Sequence, residues 1–312
     1  MNGRRRGEQT VVPEAEFRSY YGRQILKTPT WEPLDIAGYL FLGGLAGASG
    51  VLAEGAAWTG RPALERVARL AAVGSVGLGT VALVHDLGRP SRFANMLRVL
   101  KPTSPMSVGS FILAPFSGLS TVALASNLTG RLPLLGRAAG VGAGLLGPPL
   151  ATYTAALIGD TAVPSWHEGY RQMPFVFAGS AASAAGGLAM VLAPTAENGP
   201  ARRMAAGGAA LELVSSQLLT RRIGLAAEPY ESGRSGTMLK TAEALTAAAV
   251  LTSMTGRSRL VTALAGACLV GASALTRFAI FKAGVVSAED PKYTVVPQRE
   301  RVEAAGQPAG RL

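Results

Sequence analysis

The 312-residue chain is 48% hydrophobic and only 16% charged, with 39 glycines and a mean hydropathy of +0.28. Soluble globular domains carry about a quarter charged residues, so this composition excludes a disordered or collagen-like polymer and argues against an ordinary soluble globule. The formal charge of +11 does not indicate a nucleic-acid binder, because the basic residues lie between apolar runs and form no stripe with stacking aromatics.

The chain opens with Arg4-Arg5-Arg6 and stays polar to Pro33, with no apolar core at signal-peptide distance. Residues 1–33 are therefore expected to be a soluble leader and not a cleaved export signal. Apolar runs of about 20 residues follow, the length a helix needs to cross ~30 Å of hydrocarbon. They are expected at 34–58, 66–86, 106–129, 134–159, 172–196, 201–222, 236–256 and 258–281. Pro33, Pro62, Pro105, Pro133, Pro164 and Pro200 fall near starts or in connections, where a missing N–H costs little. Small residues recur within the runs, as in Gly43-Gly44-Leu45-Ala46-Gly47 and Gly142-Ala143-Gly144. Helices in lipid associate through such faces, because apolar contact alone offers no advantage over lipid tails. The expected fold is an all-α integral membrane protein of eight transmembrane helices in two four-helix bundles, 34–159 and 160–281, with a polar tail over 282–312.

An even number of spans puts both termini on one side of the membrane. Lys and Arg then divide 21 on the terminus side to nine on the other. By the positive-inside rule both termini are cytoplasmic and the protein is a multi-pass protein of the cell membrane.

The single Cys268 lies in an apolar run, so it can form no internal disulfide and cannot supply a Cys-ligated iron–sulfur cluster. A haem-bearing anchor needs His ligands within its helices, whereas His85 and His167 both fall at span edges. Neither haem nor any other metal is expected in this chain. Glu54, Glu212 and Glu243 lie inside apolar runs, where an acid is costly and usually functional or paired. Glu212 and Glu54 are candidates for a proton path, while Glu243 and Lys240, three apart, are expected to pair. Asp86 with Arg89 and Arg92 reads as an ion-paired loop that closes the bundle. A short interfacial helix carrying Phe93, Met96, Leu97 and Leu100 follows it. Gly147-Pro148-Pro149 is expected to break the fourth span, a habit of secondary transporters, which makes a transporter the alternative class.

Four features in order resemble the NrfD/polysulfide-reductase membrane-anchor family over most of 31–190. They are the small-residue first span, the Asp86-Leu87-Gly88-Arg89-Pro90-Ser91-Arg92-Phe93 stretch, Ser104-Pro105-Met106 with Gly109, and Tyr153 followed by Pro164-Ser165-Trp166. The resemblance implies an eight-helix subunit without haem, beside an iron–sulfur subunit and a molybdopterin catalytic subunit, that exchanges electrons and protons with membrane quinone. The quinone is expected to be menaquinone, and the chain alone is expected to show no turnover. The implied pocket lies among the first four helices on the partner-facing side. Tyr39, His85, Asp86, Tyr153 and Trp166 all fall at that face by span order and are the candidate quinone residues. Arg89, Arg92 and His167 are candidates for partner docking. Some relatives carry a His on the first span as a quinone ligand; this chain has Tyr39 there, and a phenol cannot relay protons near neutral pH as imidazole does. A purely structural anchor without quinone binding is the remaining alternative.

Overall fold

The structure is a computed structural model that describes residues 24–88, 91–255 and 258–304. Arg89 and the leader before residue 24 lie outside the described residues. All regular structure among the described residues is helical. In chain order the helices are α1 (Pro33–Trp58), α2 (Pro62–Asp86), α3 (Ser91–Met96), α4 (Pro105–Thr129), α5 (Pro133–Gly159) and α6 (Pro164–His167). They continue as α7 (Met173–Leu192), α8 (Gly199–Arg222), a 3-10 turn over Gly224–Ala227, α9 (Glu228–Glu231), α10 (Gly233–Thr255), α11 (Arg259–Glu289) and α12 (Lys292–Ala304).

Among the described residues six helices, α1, α2, α4, α5, α7 and α11, are long and apolar enough to cross a membrane by length and composition. The protein is accordingly a multi-pass membrane protein. α8 and α10 reach 24 and 23 residues but are more polar. Arg202, Arg203, Glu212, Arg221 and Arg222 lie in the first, and Arg234, Lys240 and Glu243 in the second.

Proline sets most of the boundaries. α1, α2, α4, α5 and α6 each carry proline in the first turn, where an N–H would have no partner within the helix. α7 stops at Leu192, short of the expected 196, because Pro194 forces Ala193 into extended backbone (φ −84°, ψ 154°). The same rule acts late on α11. Residues 282–289 hold no breaker, so the helix runs past the expected 281 until Pro291 makes Asp290 extended (φ −100°, ψ 114°). The presumed polar tail thus begins as eight more residues of α11, with Ala283, Gly284, Ser287 and Ala288 buried, and then turns into α12. The short helix α3 ends at Met96, so Leu97 and Leu100 lie outside it.

The expected break in α5 does not occur. The helix is continuous through Pro148 and Pro149, both on its exposed side, and Thr152 Oγ1 donates to the Pro148 carbonyl at 2.9 Å. On the opposite side Gly147 lies against Gly47 of α1, so close that a Cβ on either glycine would sit 2.3–2.4 Å from the other's carbonyl oxygen. That backbone contact holds the helix on line where two proline nitrogens give it no ladder bond.

α1 runs through the centre, packed against α2, α5, α7 and α11. Two glycines of its small-residue run serve different neighbours: Gly47 meets α5, and Gly44 meets Ala181 of α7 and Arg277 of α11. Gly38, by contrast, has open space where a Cβ would go. Gly47→Ala is therefore expected to destabilise the purified protein by about 1–3 kcal/mol, the usual cost of overpacking, and Gly38→Ala to leave it unchanged. Thermal unfolding in detergent checks this; equal midpoints for the two variants would contradict the α1–α5 contact.

Candidate functional site

Because α1, α2, α4 and α5 alternate in direction, the first turns of α1 and α4 and the last turns of α2 and α5 meet at one end of the molecule. There they enclose a cleft of about 110 Å³. Its polar or aromatic lining comes from Trp31, Tyr39, Asp86, Ser110 and Tyr153, and the rest is Ile, Leu and Met. Tyr39 is buried, and its ring meets that of Tyr153 edge-on, with centroids 6.5 Å apart and planes at 69°. Asp86 Oδ1 accepts the Glu32 N–H at 3.1 Å, and Ser110 Oγ donates to the Met106 carbonyl at 2.9 Å.

Tyr153 owes its position to Gly109. A Cβ at 109 would lie 2.1 Å from the ring, so only glycine lets the phenol lie flat along α4. On its far side Tyr153 also lines an open groove of about 630 Å³, shared with Val108, Asp160, His167, Tyr170 and Pro174. The inner cleft is smaller than the roughly 300–1,000 Å³ of typical ligand pockets, and the Tyr153 ring is a wall common to it and the groove.

The expected site residues are not all brought together. Tyr39, Asp86 and Tyr153 converge on the cleft. His85 does not: its side chain is 77% exposed and its Nδ1 lies 2.6 Å from Asp35 Oδ2, outside the cleft. Trp166 is fully buried but lines neither volume. Its Nε1 donates to the Ile280 carbonyl of α11 at 2.8 Å, and its ring stacks on Trp31 at 5.9 Å and 18°. It is a buttress behind the cleft wall. His167 faces the groove, and its Nδ1 lies 3.1 Å from the Gly159 carbonyl, which can only accept, so Nε2 is left as the acceptor. Arg92 donates to the Leu87 carbonyl at 3.1 Å, while Asp86 is taken by the Glu32 amide. Trp31, Met96, Met106 and Ser110 were not anticipated as lining. The Ser-Pro-Met-x-x-Gly stretch contains Met106 and ends one residue before Ser110, whereas Trp31 lies two residues before Pro33, outside any helix, and left no periodic signal.

The acids within the helices lie away from this cleft. Glu54 is 8% exposed, and its Oε2 is 3.7 Å from Arg69, which also donates to Glu65 Oε1 at 2.8 Å. Gly140 of α5 leaves the room for that pair, since a Cβ there would be 2.6 Å from Glu54 Oε2. Glu212 is buried and accepts from Thr276 Oγ1 at 2.8 Å. Its neighbour Arg277 is fully buried within α11, donating to the Phe177 carbonyl at 2.7 Å and lying 3.6 Å over the Phe177 ring. Reading α11 as ending at 281 had placed Arg277 among the terminus-side charges; it belongs to the interior. The expected Lys240–Glu243 pair does not form. Glu243 accepts from Ser216 of α8 at 2.5 Å and Lys240 donates to the Glu231 carbonyl at 3.0 Å. Among the described residues no cluster of His, Cys, Asp and Glu is placed to hold a metal ion.

Outside the spans, the end bearing the cleft is tied to the second half of the chain around α6. Ser165 Oγ donates to the Ala226 carbonyl at 2.9 Å, and Tyr230 donates to the Ser165 carbonyl at 3.0 Å. Burial pushes the Tyr230 phenol up from its ordinary range, so it remains a donor at any physiological pH. Lys292 at the start of α12 is held above its ordinary value by its hydrogen bond to Glu228.

The chain is thus a multi-pass helical protein with an apolar cleft at one end, lined by two phenols, an indole and a carboxylate. The family profile described as "Polysulphide reductase, NrfD" matches residues 27–206, more than half of the chain, and the chain belongs to that family. The matched span includes every residue of the cleft. No curated protein matches the chain.

The buried Arg69 carries a direct test. Arg69→Met leaves Glu54 as an uncompensated buried charge and is expected to destabilise by on the order of 3–5 kcal/mol. Adding Glu54→Gln is expected to recover part of that loss, as read from thermal unfolding. A double variant no more stable than Arg69→Met would contradict the pairing.

Proposed function

We propose that this chain is the membrane subunit through which an oxidoreductase complex exchanges electrons with membrane quinone, and that the ring of the quinone enters the cleft between Tyr39 and Tyr153. The observation that carries this reading is the convergence, at one end of an apolar bundle, of Tyr39, Tyr153 and Asp86 on a cleft with otherwise hydrophobic walls. Two phenolic O–H groups are suited to the two carbonyl oxygens of a quinone, and apolar walls suit its ring and tail. Asp86 contributes the carboxylate of the lining. His85 is better read as half of a surface pair with Asp35, and Trp166 as support for Trp31.

The partners in this reading are an iron–sulfur subunit, which would deliver or take the electrons, and a molybdopterin subunit, which would act on the substrate. Membership of the family supports both. They would dock at the end that carries the cleft, where Arg92 and the groove-facing His167 lie, with Arg89 as a further candidate from the sequence. Glu54 and Glu212 remain the candidates for a proton path, Glu212 with Arg277 beside it at the core of the second half. Menaquinone is the quinone we favour.

The same reading has all eight long helices crossing the cell membrane, α1, α2, α4 and α5 as one four-helix bundle and α7, α8, α10 and α11 as the other. The polar residues of α8 and α10 are compatible with this because the two acids near their middles each accept a hydrogen bond within the bundle, Glu212 from Thr276 and Glu243 from Ser216. Both termini would be cytoplasmic. The charge bias supports this still: removing the two buried arginines, Arg69 and Arg277, takes one from each side. A transporter reading loses its support with the continuity of α5.

The test is Tyr153→Phe in the assembled complex. The expected outcome is a quinone-linked rate reduced roughly tenfold, as for loss of one hydrogen bond worth about 1.4 kcal/mol, with the dye-linked activity of the catalytic subunit intact. An unchanged quinone rate would remove Tyr153 from the site.

A further inference from the structure

Trp31 precedes the first helix, yet it lines the cleft together with the two tyrosines. The chain around it is extended, and two contacts on separate elements seat it. On one side its indole lies flat on Trp166, at 5.9 Å and 18°. Trp166 is itself immobilised by its hydrogen bond to Ile280 and by a glycine-sized slot, since a Cβ at Gly284 would fall 1.9 Å from the indole. On the other side the amide of the next residue, Glu32, donates to Asp86, which lines the same cleft. This wall is held by that hydrogen bond, the aromatic stack, packing of the indole against the core that includes Trp166 and Phe281, and the Ile36 N–H on the Glu32 carbonyl at 3.0 Å. It belongs to no helix, whereas most of the lining lies on α1, α2, α4 and α5. Trp31 is also half-buried, so part of its surface stays uncovered beside the cleft it lines.

We propose that Trp31 is a hinged wall of the cleft that stacks on the ring of the bound ligand, and that Trp31 and Glu32 must lift for the ligand to enter or leave. Indole is electron-rich and a quinone ring electron-poor, so the flat contact that Trp31 makes with Trp166 on one face is available in kind on the other. Specificity for a planar ring follows, as does a dependence of exchange rate on the Glu32–Asp86 hydrogen bond. This inference rests on the quinone reading above.

The experiment uses the full chain, purified in detergent, with Trp58→Phe as background to remove the exposed indole at the other end of α1. The probe is 2,3-dimethyl-1,4-naphthoquinone, and binding is followed both by equilibrium dialysis and by quenching of tryptophan fluorescence. Saturable quenching is expected, most of it lost in Trp31→Phe, together with an affinity lowered about three- to tenfold in Trp31→Ala. Glu32→Pro isolates the hinge. Glu32 already has φ −66° and ψ 121°, which proline adopts without strain, so the substitution deletes the N–H that reaches Asp86 and little else. It is expected to speed probe release several-fold relative to Glu32→Ala. Saturable binding that is unchanged in Trp31→Ala, with release unchanged in Glu32→Pro, would overturn the role of Trp31 and leave the quinone reading standing. No saturable binding of the probe to the unsubstituted cleft would overturn the quinone reading itself.

Discussion

In the first half of the molecule two backbones meet with no room for a Cβ between them, Gly47 of α1 and Gly147 of α5. In a medium as apolar as the side chains, helices gain from approaching until main chains touch, and only paired glycines allow it. That single approach fixes several things at once. It keeps α5 continuous past two prolines, it centres α1 among four neighbours, and it sets the distance at which Tyr39 and Tyr153, roughly two turns further along on each helix, meet edge-on. A second glycine, Gly109, then lets Tyr153 lie against α4. The cleft is thus a consequence of where side chains are missing.

The charged interior follows a different logic. Glu54 with Arg69, and Glu212 near Arg277, lie deep in separate halves, each acid beside a buried base. Burial of a lone charge in hydrocarbon is prohibitive, so such pairs persist only where each group has a partner or a function. The cleft has no buried cation among its lining residues, only phenols, one hydroxyl and the half-buried Asp86. A neutral ring can enter it without displacing an ion pair, and that separation of charge from cleft is what makes the redox-lipid reading coherent with the rest of the bundle.

Much of this was legible in the sequence, and the exceptions have specific causes. Prolines 33, 62, 105 and 133 gave helix starts, and the order of spans brought Tyr39, Asp86 and Tyr153 to one end. Span order brought His85 to the right end but not to the cleft: its exposed ring lies beside Asp35, and which way the last turn of α2 faces is set by its packing and not by residue order. Trp166 was read as site-facing because it follows Tyr153 at the right end; its bond to Ile280, 114 residues away, leaves no local trace. Arg277 was counted with surface charges because a span was ended at a conventional length, when the chain offers no helix breaker before Asp290-Pro291. Trp31 lay in a segment with no periodicity to read.

Photolabelling addresses the central claim, that the cleft at the α1/α5 end receives the ring of a quinone. An azido-naphthoquinone, activated on the protein in membranes and followed by peptide mapping, is predicted to modify peptides containing Trp31 to Tyr39, Met106 to Ser110, and Tyr153, and to be displaced by excess unmodified naphthoquinone. Displaceable label confined instead to the α4–α5 turn near Leu132, at the opposite end of those helices, would contradict the account.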